Sequence, residues 1–340
     1  MNHFQRYLAE EFAEDYQEGR LARRQALKLI LSVTGSLVLA EAFLAACAPP
    51  PQATGAPAST STTPPAGIQA LSPTPTSRPA TEPAAAEAPA ESVASAPTAP
   101  VSGTVSPDDP AIEGGPIQFP GEGATLLGYL ARPQKDGPFA VVLVCHENRG
   151  LTEHIQDVTR RLAKAGYVAL AVDLLSRQGG TGVVGSEQVP GALGNMPPDQ
   201  FVQDFLSGWQ YLHSQPFAQA DQVGMMGFCF GGGVTWRMAT HMPELKAAVP
   251  FYGPHPPVED VPNINAAVLA IYAERDQRIN QGIPAIEAAM QQTGKVYEKV
   301  IYPNADHAFH NDTGSRYNPE AAQDAWARTL AWFEKYLTAP

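Results

Sequence analysis

Basic residues are scarce in this chain. Lysine and arginine number 22 against 34 acidic residues, the formal net charge is −12, and the cations form no stripe, which argues against nucleic acid as a partner. A long hydrophobic run is missing as well: the N-terminal apolar stretch, Leu29 to Leu44, is of modest length and contains Glu41, so a permanent transmembrane span is not expected. There are three cysteines, Cys47, Cys145 and Cys229, and no two form a Cys-x-x-Cys pair, the spacing expected of thiol redox chemistry. Between positions 48 and 110 there is no aromatic residue and one basic residue, Arg78, among fifteen prolines and abundant Ala, Thr and Ser. Such a segment buries too little apolar surface to offset its ordering entropy and is predicted to be a disordered spacer.

These absences divide the 340 residues into three parts. Residues 111–340 hold the plausible core and suit one α/β domain. Residues 1–47 read as an export signal. Arg23-Arg24 fronts the apolar stretch, which ends in the small residues Leu44-Ala45-Ala46-Cys47 just before the spacer. The run Arg23 to Lys28 resembles a twin-arginine signal, although Ala22 and Ala26 depart from the usual residues, and Leu44 to Cys47 resembles the lipobox of bacterial lipoproteins. Cleavage before Cys47 would leave a lipidated cysteine, and the expectation is an exported, extracytoplasmic, membrane-anchored protein. Residues 1–20 form an acidic amphipathic pattern, with Phe4, Leu8, Phe12 and Tyr16 on helical spacing.

Within the domain, strands and helices alternate. A hairpin spans Ile117 to Arg132, followed by a buried strand at 140–145, a helix bearing Ile155, Val158 and Leu162, and a strand at 167–172. Residues 176–197 form a Gly- and Pro-rich loop. A helix at 199–213 and a strand at 223–228 follow, then a helix, strands at 247–252 and 267–273, a helix at 284–293, a strand at 297–302 and a helix at 319–337. This order predicts a mostly parallel sheet with helices on both faces, in which functional residues gather beyond the carboxyl ends of the strands.

Gly227-Phe228-Cys229-Phe230-Gly231 stands between an apolar strand and a helix start. This is the nucleophile-elbow pattern with cysteine at its centre. Glycines two positions away relieve a sharp turn, and the helix N-terminus favours a thiolate. Asp276 and His307 follow in the chain order nucleophile, acid, base. His307 is positioned as the base and Asp276 as its orienting partner. The backbone N–H groups of Phe230 and Asn148 are the candidate oxyanion hole. A disulfide between Cys145 and Cys229 is the rival reading, disfavoured because neighbouring parallel strands seldom offer its geometry. Asp306, His307 and His310 match no familiar metal spacing, and no metal or cofactor is expected. His154, His213, His241 and His255 are read as surface or loop residues.

The domain resembles dienelactone hydrolase (carboxymethylenebutenolidase), an α/β-hydrolase-fold family. The resemblance rests on His146-Glu147-Asn148-Arg149-Gly150-Leu151, Asp173-Leu174-Leu175-Ser176-Arg177, Gly227 to Gly232, Phe251-Tyr252-Gly253, Asp276 and Ala305-Asp306-His307-Ala308-Phe309. It implies a Cys229–His307–Asp276 triad acting on small esters or lactones through an acyl-enzyme, with Glu147 touching the resting thiol as a modulator. One arginine that binds the substrate carboxylate in that family corresponds to Asn311. The other has no counterpart, since no Lys or Arg lies between Arg177 and Arg237. Neutral substrates are therefore expected to be preferred unless Arg149 or Arg177 substitutes. The alternative of another class is a lipoprotein that binds a small molecule on the same scaffold without turnover. A complete triad argues against it.

Overall fold

The structure, a computed structural model, describes residues 1–46 and 103–337. Among these, eight strands form one sheet: β1 (Ile112–Gly121), β2 (Ala124–Pro133), β3 (Phe139–Cys145), β4 (Val168–Asp173), β5 (Ala218–Phe228), β6 (Ala247–Phe251), β7 (Ala267–Ala273) and β8 (Tyr297–Tyr302). Their order is β1-β2-β4-β3-β5-β6-β7-β8. The β1–β2 and β2–β4 pairs are antiparallel, and every pair from β4–β3 to β7–β8 is parallel. The expected α/β-hydrolase architecture is present.

Composition explains the parallel core. Val141 to Cys145 and the whole of β4 and β7 are buried at consecutive positions, so both faces of these strands are covered and no polar alternation is needed. Helices α4 (Glu153–Lys164), α7 (Pro198–His213), α8 (Phe230–His241), the short α9 (Gln277–Asn280), α10 (Ile283–Gln292) and α11 (Pro319–Leu337) follow the strands. Ile155, Val158 and Leu162 form the buried stripe of α4, while Glu153 in its first turn and Lys164 in its last complement the helix dipole. Asn318 caps α11, its side chain accepting from the Ala321 N–H at 3.2 Å, and Pro319 takes the first helical position. Phe333 and Leu337 of α11 lie where a Cβ on Gly224 would collide with them, so the strand has no side chain there.

Three regions differ from the sequence expectation. β5 begins at Ala218, five positions early, because Ala218 and Gln219 pair with Phe139 and Ala140 before a register shift. The expected loop at 176–197 contains two short helices, α5 (Thr181–Val184) and α6 (Val189–Gly194). Its entry is pinned by Asp173, whose carboxylate accepts from the N–H groups of Leu175 and Thr181 and from the Thr181 hydroxyl. Ordered packing also starts before 111. Val105 is buried, its N–H donates to Asp157 at 2.7 Å, and its carbonyl accepts from Arg160 at 2.6 Å. The remainder of the predicted spacer, with Cys47, lies outside the described residues.

The N-terminal segment folds as α1 (His3–Gln17), α2 (Arg23–Thr34) and α3 (Leu37–Ala46), and belongs to the same compact unit as the hydrolase core. The apolar stretch from Leu29 is broken at Gly35, which takes φ 66°, and no helix among the described residues is long and apolar enough to cross a membrane. In α1, Asn2 and Gln5 form a reciprocal capping box, with both bonds at 2.8 Å. Phe4, Leu8 and Phe12 are buried as the amphipathic pattern predicts, each contributing on the order of 1.5–3 kcal/mol. Phe4 sits edge-on to Phe201 at 5.2 Å and tilted against Phe230 at 5.1 Å. Gly191 of α6 faces Ser32 of α2, where a Cβ would overlap the serine side chain.

Candidate active site

The turn from β5 into α8 has elbow geometry. Cys229 takes φ 59° and ψ −122°, a strained conformation for a residue with a side chain, costing about 1–3 kcal/mol. A Cβ on Gly227 would overlap the backbone of Gly231, and one on Gly231 would overlap the carbonyls of Cys145 and His146. Both glycines are therefore fixed by sterics. The Cys229 N–H donates to the Phe251 carbonyl at 3.0 Å, tying the elbow to β6. Phe230 is the first residue of α8.

The parallel order of β5, β6, β7 and β8 brings the predicted triad together. His307 donates through Nδ1–H to Asp276 Oδ2 at 2.5 Å, which leaves Nε2 buried without a hydrogen-bond partner among the described residues. Burial opposes a charge on His307, but the negative charges of Asp276 and Cys229 outweigh it and raise its pKa to about 10. Burial likewise disfavours the Asp276 carboxylate, yet His307, Arg278 and the Ile279 N–H hold its pKa below the ordinary value. Burial pushes the Cys229 thiol up, a nearby carboxylate adds to this, and His307 pulls in the opposite direction with the smaller effect.

That carboxylate belongs to Glu11 of α1. Its Oε1 and Oε2 lie 3.5 and 3.6 Å from Cys229 Sγ, and Oε1 is 3.9 Å from His307 Nε2. Tyr7 Oη is also 3.2 Å from Sγ. The Asn148 side-chain amide donates to Glu11 at 3.1 Å. Arg278 donates to Glu14 at 3.1 Å and stacks over the Tyr7 ring at 4.6 Å, and Arg316 lies 3.7 Å from Asp15. These residues were missed by the sequence reading. The amphipathic spacing of α1 was visible, but spacing does not reveal what a helix docks on.

Glu147 does not make the expected contact with the thiol: it accepts from the Asn311 amide at 2.8 Å, its charge still contributes to raising the Cys229 pKa, and the carboxylate within 3.6 Å of Sγ is that of Glu11. Asn311, which the resemblance set opposite an arginine, provides the donor to Glu147. Neither candidate arginine reaches the nucleophile. Arg149 is exposed, and Arg177 is engaged by Asp204 at 2.9 Å and by the Glu122 carbonyl at 2.8 Å. His154 is buried rather than superficial, with Nδ1 3.1 Å from Asp312, and His255 is 2.8 Å from the Tyr272 hydroxyl. His146 bonds through Nδ1 to the Glu147 carbonyl at 2.7 Å and accepts from the Leu174 N–H at 3.2 Å, joining the ends of β3 and β4.

Asp306, His307 and His310 do not converge. Asp306 meets Arg275 at the surface, 3.4 Å away, and the His310 ring is stacked on Phe228 with centroids 5.0 Å apart. Glu11, Cys229 and His307 do bring one potential ligand atom each within 4.8 Å of one another. Two of the three are triad members, and His307 is already oriented by Asp276. Cys145 and Cys229 are free thiols.

An α/β-hydrolase sheet with a cysteine at its elbow and a histidine and its aspartate beside it carries the residue set found in nucleophilic hydrolases. Comparison with known proteins narrows this: residues 126–337 match the dienelactone hydrolase family, and the chain belongs to that family. A candidate carboxymethylenebutenolidase of Methylorubrum extorquens is 36% identical over 249 residues, covering 69% of this chain and 86% of the relative. One from Escherichia coli K12 is 35% identical over 256 residues, 70% of this chain and 93% of the relative. A solved candidate dienelactone hydrolase from Klebsiella pneumoniae superposes with a TM-score of 0.63 at 34% identity, over 66% of this chain and all of that one. The family makes this chain a carboxylic ester or lactone hydrolase.

Because its folded pKa is raised, His307 stabilises the fold fully below its ordinary pKa of 6.5, and that contribution is lost as pH rises through about 10. The difference in Tm between wild type and His307→Gln is therefore expected to be greatest near about pH 6 and to close above about pH 10. Thermal melts across that range check it. A constant difference would mean that the imidazole is neutral in the fold.

Proposed function

We propose that the protein is a cysteine-dependent hydrolase of small esters or lactones that works through an acyl-enzyme. The observation that carries this reading is the strained Cys229 at the head of α8, with the free Nε2 of the Asp276-bound His307 beside it. Sγ would attack the carbonyl carbon as the thiolate of a Cys229–His307 ion pair, its proton carried on His307 Nε2 as the raised pKa of the imidazole favours. The tetrahedral oxyanion would be met by the Phe230 and Asn148 N–H groups. Collapse would break the C–O bond, with His307 protonating the leaving alkoxide. Water, deprotonated by the same nitrogen, would then cleave the thioester to the acid and restore the thiol.

The sequence suggested neutral substrates because no arginine stood where the family's carboxylate-binding pair is found. Arg278 follows Asp276, and Arg316 follows His307 on the same loop. Both interact electrostatically with Glu11, and the two Nη atoms of Arg278 are buried without hydrogen-bond partners among the described residues. A carboxylate on the substrate would be met from this side of the site, not from position 311. We also retain the export reading, with Arg23-Arg24 as signal and Cys47 as lipid attachment point.

Cys229→Ala is expected to abolish turnover of p-nitrophenyl acetate with unchanged circular dichroism, and mass spectrometry of wild type is expected to find the acyl group on the Cys229 peptide. Turnover by the alanine variant at the wild-type rate would remove the cysteine from the mechanism. For specificity, Arg316→Ala should lower the kcat/KM ratio of a carboxylate-bearing ester to its neutral analogue by about tenfold or more, the effect of losing one charge-assisted contact. An unchanged ratio in both Arg316→Ala and Arg278→Leu would exclude this side as the carboxylate site. For export, metabolic labelling with a fatty acid should mark the wild type and leave Cys47→Ala unlabelled. Equal labelling of the two would eliminate Cys47 as the anchor.

A further inference from the structure

We propose that α1 is an intramolecular inhibitor, which seats Glu11 and Tyr7 on the nucleophile and base so that the hydrolase is held to a low basal rate until the segment leaves. The proposal rests on the hydrolase reading above. It starts from space. Attack needs a carbonyl carbon about 3–3.5 Å from the sulfur. That approach is taken by Tyr7 Oη at 3.2 Å and by the two Glu11 oxygens at 3.5 and 3.6 Å. Glu11 also faces Nε2 of His307, the atom that would receive the thiol proton, and it engages the side chain of Asn148, one of the two oxyanion-hole residues. A cavity of about 330 Å³ lies beside the helix, lined by His3, Tyr7, Glu10, His255 and Arg278, rather than over the sulfur.

The helix is gripped through two adjacent acids near its C-terminal end. Arg278 holds Glu14 and lies over the Tyr7 ring, and Arg316 faces Asp15. Phe4 adds an apolar anchor between Phe201 and Phe230. The fit is chemically specific. A carboxylate at this position is matched by two cations and an amide, whereas an uncompensated buried acid next to a buried thiol would be expelled. The same carboxylate disfavours the thiolate and so suppresses the nucleophile as well as covering it. The position of α1 in the chain suggests how it is relieved: cleavage at the small residues before Cys47 would remove α1, α2 and α3 together.

The test uses the full chain carrying Glu14→Arg and Asp15→Arg, which turns both grips into like-charge repulsion while leaving Cys229, His307 and Asp276 untouched. Alkylation of Cys229 by iodoacetamide, followed by peptide mass spectrometry, and hydrolysis of p-nitrophenyl acetate are measured side by side. Both rates should rise by at least about tenfold, since the observed rate scales with the fraction of molecules whose site is open. A synthetic peptide of residues 1–20 should lower both rates again, and the same peptide with Glu11→Gln and Tyr7→Phe should do so far less. If the double variant does not fold, a wild-type chain with a protease site inserted after residue 60 is cut in the folded state and diluted, with the same expectations. Unchanged alkylation and hydrolysis once mass spectrometry shows the fragment bearing residues 1–60 released would overturn the inhibitor. Faster alkylation with no ester turned over by any form would uphold the cap and sink the hydrolase reading. Equal ester turnover with and without α1 would do the reverse.

Discussion

The backbone turn at Cys229 is the constraint on which the rest of this site depends. The chain must reverse from β5 into α8 within one residue, and that residue bears a side chain in a region of φ and ψ that glycine would occupy more easily. The strain is tolerated because the flanks leave no alternative. Gly227 lies against Gly231, Gly231 against the end of β3, and Gly232 against the Phe251 carbonyl, all at backbone contact distance. The Cys229 N–H is spent on β6. The sulfur is thereby held at the carboxyl edge of the sheet, where β7 and β8 deliver Asp276 and His307, by packing that a flexible loop would not provide.

A second layer of interactions positions the loop that carries the base. Asp312, five residues after His307, meets His154 Nδ1 at 3.1 Å and forms an ion pair with Arg161, while Arg161 also pairs with Asp157 on α4. Hydrogen bonding from His154 and the charge of Arg161 hold the Asp312 carboxyl well below its usual range. The His307 loop is therefore fastened to α4, and the same helix fastens Val105 through Asp157 and Arg160. Breaking one member of such a buried set leaves charged partners without compensation, which costs more than the pair itself contributes. Rigidity of His307 thus derives from electrostatics on the far side of the loop, while its ring orientation derives from Asp276.

The docked N-terminal helix changes the electrostatic problem of the site. A thiol, an imidazole and two carboxylates, those of Glu11 and Asp276, lie together in a buried space. Their coexistence requires the cations around them. Arg278 and Arg316 are the available ones, and both also contact acids of α1. Glu147, the acid that resemblance placed at the thiol, is instead satisfied by Asn311. The Asn311–Glu147 hydrogen bond and the carboxylate that α1 brings to the sulfur are thus parts of one arrangement of charge.

Much of this was legible in the sequence because it is local. Apolar runs with helical or unbroken period placed the strands and helices to within a few residues. The glycine spacing around Cys229 revealed the elbow, since a steric requirement two residues away leaves its mark on composition. Chain order alone identified Asp276 and His307, because a parallel sheet brings successive strand ends to one edge. The phenylalanines of α1 likewise marked a helix with one buried face. What tertiary structure alone decided is which surface that face covers, which of Glu11 and Glu147 meets the sulfur, and which arginines stand nearby. Those outcomes depend on contacts between residues more than a hundred positions apart, whose distances and compensating charges are set only when the sheet closes and the helix docks.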